Sequence, residues 1–216
     1  MPAGAVQAEL RKCFGLWDLP LSVRVDNGYP WGSCGELPTP LALWLIGLSV
    51  GVIWNPPRRP QDNGVVERSQ GVASNWAEPD RCRDVAELQR RLDEEDHVQR
   101  ECYPHAGFAS RMEAYPGLAH SGRRYSAAWE RENWSWERVL VCLEGMMMPR
   151  RVDRSGKIGL YNGKLYVGTI NRGKDVVVQF DAGRTEWVIS DPGGAELCRR
   201  PLTQFDAKGL RNLSNK

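Results

Sequence analysis

The chain lacks the cysteine and histidine spacing that zinc needs. Its six cysteines, at positions 13, 34, 82, 102, 142 and 198, form no CxxC pair, and His97, His105 and His120 stand apart. A structural zinc site and a redox dithiol are excluded on that ground, and reduced thiols in a cytosolic protein are expected. Long apolar runs are missing too. The longest, Leu41 to Trp54, is too short and too broken by glycine to span a bilayer. No leader-like segment opens the sequence, so no membrane role is expected. Neither sign of charge dominates: 29 Lys and Arg against 27 Asp and Glu leave a net +2. The distribution is uneven, however. Arginine crowds into positions 81–154 and lysine into the last third, which mildly favours a polyanionic partner.

What is present is organised around Asn55 to Gln70, NPPRRPQDNGVVERSQ. Pro56, Pro57 and Pro60 forbid a helix there, so a regular element begins only beyond Pro60, with Asp62 or Asn63 as its cap. From Gly64 the run reads as a helix with Glu67 in its first turns, where the positive end of the helix favours a carboxylate. Upstream, Val6 to Trp17 carries apolar residues at helical spacing, and LSVRVDNG is a short strand ending at Asp26. Asp26, Asn27 and Gly28 could form a hairpin turn, but the prolines that follow make a poor return strand. Thr39 to Leu48 reads as a buried helix capped by Thr39 with Pro40 at its first position, and Ser49 to Trp54 as a buried strand. Strand, crossover helix and strand make a parallel βαβ unit, with Asp26 and the loop before Glu67 at its carboxyl edge.

The pieces VDNGYPWGS, TPLALWLIGLSVGVIW and PRRPQDNGVVERSQG, in that order, resemble the second and third acidic motifs of the DDE integrases and transposases with a retroviral-type integrase core, especially those of bacterial insertion sequences. By that resemblance Asp26 matches the second catalytic aspartate and Glu67 the catalytic glutamate. The 40 residues between them exceed the family's commonest spacing, within the variation of loops. Asp84 to Gln99 is similar to the core's closing helix, with Val85, Leu88 and Leu92 on one face. Tyr103, Pro104, His105 and then Ser121, Arg123, Arg124 and Tyr125 imperfectly keep a later loop motif, in which His105 is expected to pin the loop. Trp129 to Trp136 and Met146 to Met148 read as packing between domains. From about Arg151, short β runs separated by glycine turns, with a hairpin at Asn162 and Gly163, resemble the SH3-like barrel of Mu-type transposases.

The expected fold is thus α/β: an RNase H-like integrase core lacking its first three strands, followed by a small all-β SH3-like barrel. Expected boundaries are 1–128 for the core, 129–150 for a linker, 151–205 for the barrel and 206–216 for a frayed tail. The resemblance implies DNA integration by metal-dependent strand transfer, with Asp26 and Glu67 holding Mg²⁺ or Mn²⁺. Two ions held about 4 Å apart need a third carboxylate, and the family's first aspartate has no match here. An inactive fragment is therefore expected: a gene remnant, a mis-assigned start, or one half of a product completed by an upstream polypeptide that supplies the missing strands. Arg58, Arg59, Asn63, Arg68, Lys157, Lys164, Arg172 and Lys174, with Arg184, are the expected DNA contacts. The expected partners are element ends, target DNA and further copies of the chain, in a nucleoid-associated setting. A non-catalytic DNA-binding or assembly module is the alternative, and a βαβ domain with a protein-binding barrel a third.

Overall fold

The computed structural model describes residues 1–33, 35–57, 64–118 and 120–214, apart from the side chains of Val65 and Leu118. Eight helices and eight strands follow in order among these residues: α1 (Ala3–Trp17), β1 (Ser22–Val25), α2 (Pro40–Gly47), β2 (Gly51–Trp54), α3 (Gly64–Ala77), α4 (Val85–His97), α5 (Arg111–Ala114), α6 (Ala127–Asn133), α7 (Trp136–Glu144), β3 (Met147–Arg151), β4 (Lys157–Leu160), β5 (Gly163–Tyr166), β6 (Asp175–Asp181), β7 (Glu186–Ser190), β8 (Glu196–Pro201) and α8 (Ala207–Arg211). None of the described helices is long and apolar enough to cross a membrane.

These elements form two compact units. One comprises Met1–Leu16, Pro20–Asn55 and Tyr125–Lys216; the other comprises Trp17–Leu19 and Pro56–Arg124. The expected boundaries at 128, 150 and 205 do not follow this division. The supposed linker holds most of α6, all of α7 and the start of β3, because Ser135 caps an amphipathic turn that buries Val139 and Leu143. The supposed frayed tail holds α8, capped by Asp206, with Leu210 only 1% exposed. Of the methionines expected between domains, Met146 precedes β3 and the other two open it, with Met148 facing inward and Met147 outward.

In the first unit, β1 and β2 pair in parallel, Ser22 opposite Gly51 through Val25 opposite Trp54. The crossover helix α2 is apolar on every side, and Leu41 to Leu45 are completely buried. Thr39 Oγ1 caps it by accepting from the Ala42 amide at 3.4 Å. At its other end Gly47 lies against the Trp134 indole, where a Cβ would fall 2.2 Å from Nε1. The Gly47 carbonyl accepts from the Ser135 amide at 3.0 Å and Arg138 Nη1 at 2.8 Å, which satisfies the helix end. Strand β2 was expected to be buried, yet Ile53 is exposed, because only one strand pairs with it among the described residues. The small β domain is a four-stranded antiparallel sheet in the order β3, β6, β7, β8, with β4 and β5 as a separate hairpin.

One buried carboxylate ties the helices of this unit together. Glu130, 5% exposed, sits in the first turn of α6, where Ser126 caps the helix. It accepts from Arg11 Nε at 2.9 Å and Nη2 at 2.6 Å, from Trp44 Nε1 at 2.9 Å, and from the Tyr125 hydroxyl. Arg11 Nη2 also donates to the Arg211 carbonyl at 2.6 Å, and Gln7 Nε2 to the Leu210 carbonyl at 2.9 Å, so α1 clasps α8. Burial disfavours the ionised Glu130, but the bonds from Arg11, Tyr125 and Trp44 outweigh it and hold the carboxyl below its ordinary range. Burial first, and then the bond to Glu130, push the Tyr125 phenol well above its own range.

The second unit is held differently. Leu19 and Ala77 are its fully buried apolar side chains among the described residues, and Val85, expected on the core face of α4, is 81% exposed. Ion pairs take over along α4: Glu87 accepts from Arg83 and Arg91 and titrates at about 2, and Arg100 pairs with Asp96. Arg100 also lies 3.8 Å over the Trp17 ring.

Glu130→Ala is expected to cost about 3 kcal/mol, because it strands Arg11 and the Trp44 indole without their acceptor. A folded-state pKa below the unfolded one means the Glu130 contribution is complete above the ordinary glutamate value. It is lost as pH falls through the lowered value. Urea melts should therefore show the advantage of the wild type over Glu130→Gln shrinking as the solution is acidified below about pH 4.

Candidate functional site

The parallel register brings the ends of β1 and β2 level, so Asp26 and Asn55 follow their strands side by side. The Asn55 amide donates to the Val25 carbonyl at 2.9 Å, and Asn27 Nδ2 returns the tie by donating to the Asn55 carbonyl at 2.8 Å. Beyond Asn27 no return strand follows among the described residues. Gly28 and Gly32 exchange both backbone hydrogen bonds, at 2.6 and 2.7 Å, and close a small ring. Gly32 must be glycine there, with φ +86° and a Cβ position 2.9 Å from Thr39 Cγ2. The ring leaves Asp26 exposed, without a hydrogen bond or ion pair among the described residues.

Glu67 belongs to the other unit. It lies in the first turn of α3, exposed and likewise unpaired among the described residues, with Arg68 exposed beside it. Arg58, Arg59 and Asn63 lie outside the described residues. No group of three or more His, Cys, Asp or Glu side chains among the described residues could hold a metal ion. Hard divalent cations need an array of oxygen ligands. The described acids therefore do not, by themselves, fit a Mg²⁺ or Mn²⁺ centre.

The basic residues of the β domain divide by partner. Lys164 Nζ is held 2.8 Å from Asp153, and Lys174 Nζ donates to Asn171 Oδ1 at 3.2 Å. Asp153 also accepts from the Ser155 amide and hydroxyl and from the Lys157 amide. Lys164 foremost, with these bonds, lowers the Asp153 carboxyl far below its ordinary range. Lys157 is exposed, and Arg172 anchors Nε to the Thr169 carbonyl at 3.0 Å, leaving the rest of its guanidinium clear of carboxylates.

A recess missed by sequence reading lies beside Arg172. About 670 Å³ in volume, it is lined by Arg151, Val152, Asp153, Arg154, Arg172 and Gly173. The Val152 amide donates to the Lys174 carbonyl, and the Gly173 amide donates to the Val152 carbonyl, each at 3.0 Å. These bonds draw the two segments together and bring the three arginines around one opening. Arg151 and Arg154 are exposed and have no partner among the described residues, while the Asp153 carboxylate is occupied by the turn that follows it. The local signal was the pair of arginines flanking buried Val152; the return of Arg172 to the same place was not visible.

No protein-family model matches the chain. Among solved structures it is similar to one described as a simian T-cell lymphotropic virus intasome in complex with PP2A regulatory subunit B56 gamma, with 16% identity and a TM-score of 0.43. The match covers 58% of this chain and 43% of that one, so the chain spans less than half of the protein it matches. A likeness of that degree establishes neither a family nor an activity.

If Asp26 and Glu67 are held in reserve for a ligand rather than for folding, Asp26→Asn and Glu67→Gln should each change stability by less than about 0.5 kcal/mol. Asn27→Ala, which removes the tie between the strand ends, should cost about 1 kcal/mol in the same urea melts.

Proposed function

We propose that the chain is a DNA-binding portion of a DNA-integration protein, gripping the phosphate backbone chiefly through its β domain. The carrying observation is the recess rimmed by Arg151, Arg154 and Arg172, three guanidiniums that no carboxylate pairs among the described residues. Cations left unpaired around a concavity suit phosphates, whose contacts position a protein on DNA without reading sequence. On this reading the β1–α2–β2 unit is part of an RNase H-like integrase core and the β domain is its SH3-like barrel. Asp26 and Glu67 are the two acids assigned to a Mg²⁺- or Mn²⁺-dependent strand-transfer site, which needs at least one further carboxylate. Element ends, target DNA and further copies of the chain are the proposed partners.

The test is binding of the full chain to a mixed-sequence duplex, followed by fluorescence anisotropy across a salt series. Affinity should fall steeply with salt and vary little with sequence. Replacing Arg151, Arg154 and Arg172 together by alanine should flatten the log–log slope by about 2.7, at about 0.9 per phosphate contact. Lys164→Ala, which removes an amine already committed to Asp153, should flatten it by much less. Salt-independent binding, or none, overturns the reading.

A further inference from the structure

A cleft of about 1070 Å³ in the second unit opens between α3, α4 with the π turn that follows it, and α5. Arg68 and Ser69 line it from α3, Glu95 and Gln99 from the α4 side, and Arg111 and Tyr115 from α5 and its end. Neither guanidinium has a hydrogen-bonding or ionic partner among the described residues, and Glu95 is the one carboxylate among the described lining residues. Tyr115 is 51% exposed, and its ring stands 5.5 Å from that of His105, with its hydroxyl 3.4 Å from His105 Nε2. His105 is itself fixed by reciprocal backbone bonds with Phe108, at 3.1 and 2.9 Å, so the aromatic pair has a firm base.

We propose that this cleft takes one unstacked nucleotide of single-stranded DNA. Tyr115 offers a ring for the base, Arg68 and Arg111 meet the flanking phosphates, and Glu95 with Gln99 faces the base edge. Stacking on an exposed aromatic ring beside a positive groove is how single strands are held with little dependence on sequence. A duplex presents no free base face and would leave Tyr115 unused. Glu95, as an acceptor, favours a base carrying an exocyclic amine, which makes adenine a better occupant than thymine. The cleft is also of a size that suits a nucleotide-scale ligand. The proposal rests on the nucleic-acid reading above but concerns different residues and a different form of DNA.

The experiment uses the full chain and a labelled oligo(dA) 12-mer, with a duplex of equal length as the second probe. Tyr115→Ala should weaken oligo(dA) binding by about tenfold, while Tyr115→Phe, which keeps the ring, should stay within about twofold. Replacing Arg68 and Arg111 by alanine should flatten the salt slope on oligo(dA) by about 1.4, at about 0.7 per phosphate on a single strand. Duplex binding should be unaffected by the Tyr115 changes and still measurable for the arginine pair, and that retained binding also shows that the variants are folded. If oligo(dA) binding is absent, or Tyr115→Ala and the arginine pair leave it unchanged while the duplex still binds, the cleft assignment alone is overturned. Loss of binding to both probes by the wild type overturns the DNA reading as well.

Discussion

The first compact unit depends on one ionised side chain that is almost wholly removed from water. Taking Glu130 out of solvent would cost several kcal/mol if it were left bare. Four donor groups from three residues on different segments of the chain make the cost bearable: the Arg11 fork, the Trp44 indole and the Tyr125 phenol. The geometry is demanding in a way that apolar packing is not. Each donor must come within hydrogen-bonding distance of the carboxylate, which restricts how α1, α2 and the segment entering α6 can lie. Arg11 extends the same constraint to α8 through the Arg211 carbonyl. The parallel strands flank the crossover helix that this network holds, so the position of Asp26 at the end of β1 depends on it indirectly.

Much of the architecture was legible because it is written in local chemistry. Thr39 and Pro40 announce the start of α2, β-branched residues mark β1, and Asn162 and Gly163 mark the β4–β5 hairpin. Asp26 at a strand end and Glu67 in a first helical turn were readable for the same reason. What escaped reading was set by contacts distant in sequence. Glu130 and Arg11 are 119 residues apart, and nothing around Glu130 distinguishes it from a surface glutamate at a helix start. Strand β3, MMPRR, has no β-branched residue and contains a proline, and it is a strand because β6 pairs with it from Met147 to Arg151. Leu92 and Val85 suggested a helix packed into a core, yet α4 carries no buried residue and is held by its own ion pairs instead.

The charged residues sort into two populations that composition cannot separate. Lys164, Arg199 and Arg91 are held by neighbouring carboxylates and serve the fold. Arg68, Arg111, Arg151 and Arg154 are left without such neighbours among the described residues, and they line concave surfaces. The distinction matters because a cation already neutralised by the protein has little left to offer a phosphate. A count of basic residues would have given Lys164 and Arg154 equal weight; their surroundings do not.

The clasp around Gln7 has a bearing on how the chain reaches this state. Gln7 bonds to Leu210 and Leu213, 203 and 206 positions further on, and Phe14 rests on Trp44 and Tyr125. The residues that cover one side of α1 are thus synthesised 203 to 206 positions after the glutamine they bind. Until those residues emerge α1 lacks their cover, and closing so long a loop carries its entropic cost before the contact is returned. The clasp between α1 and α8 can therefore close only once the later segment has been made, however early Phe14 meets Trp44.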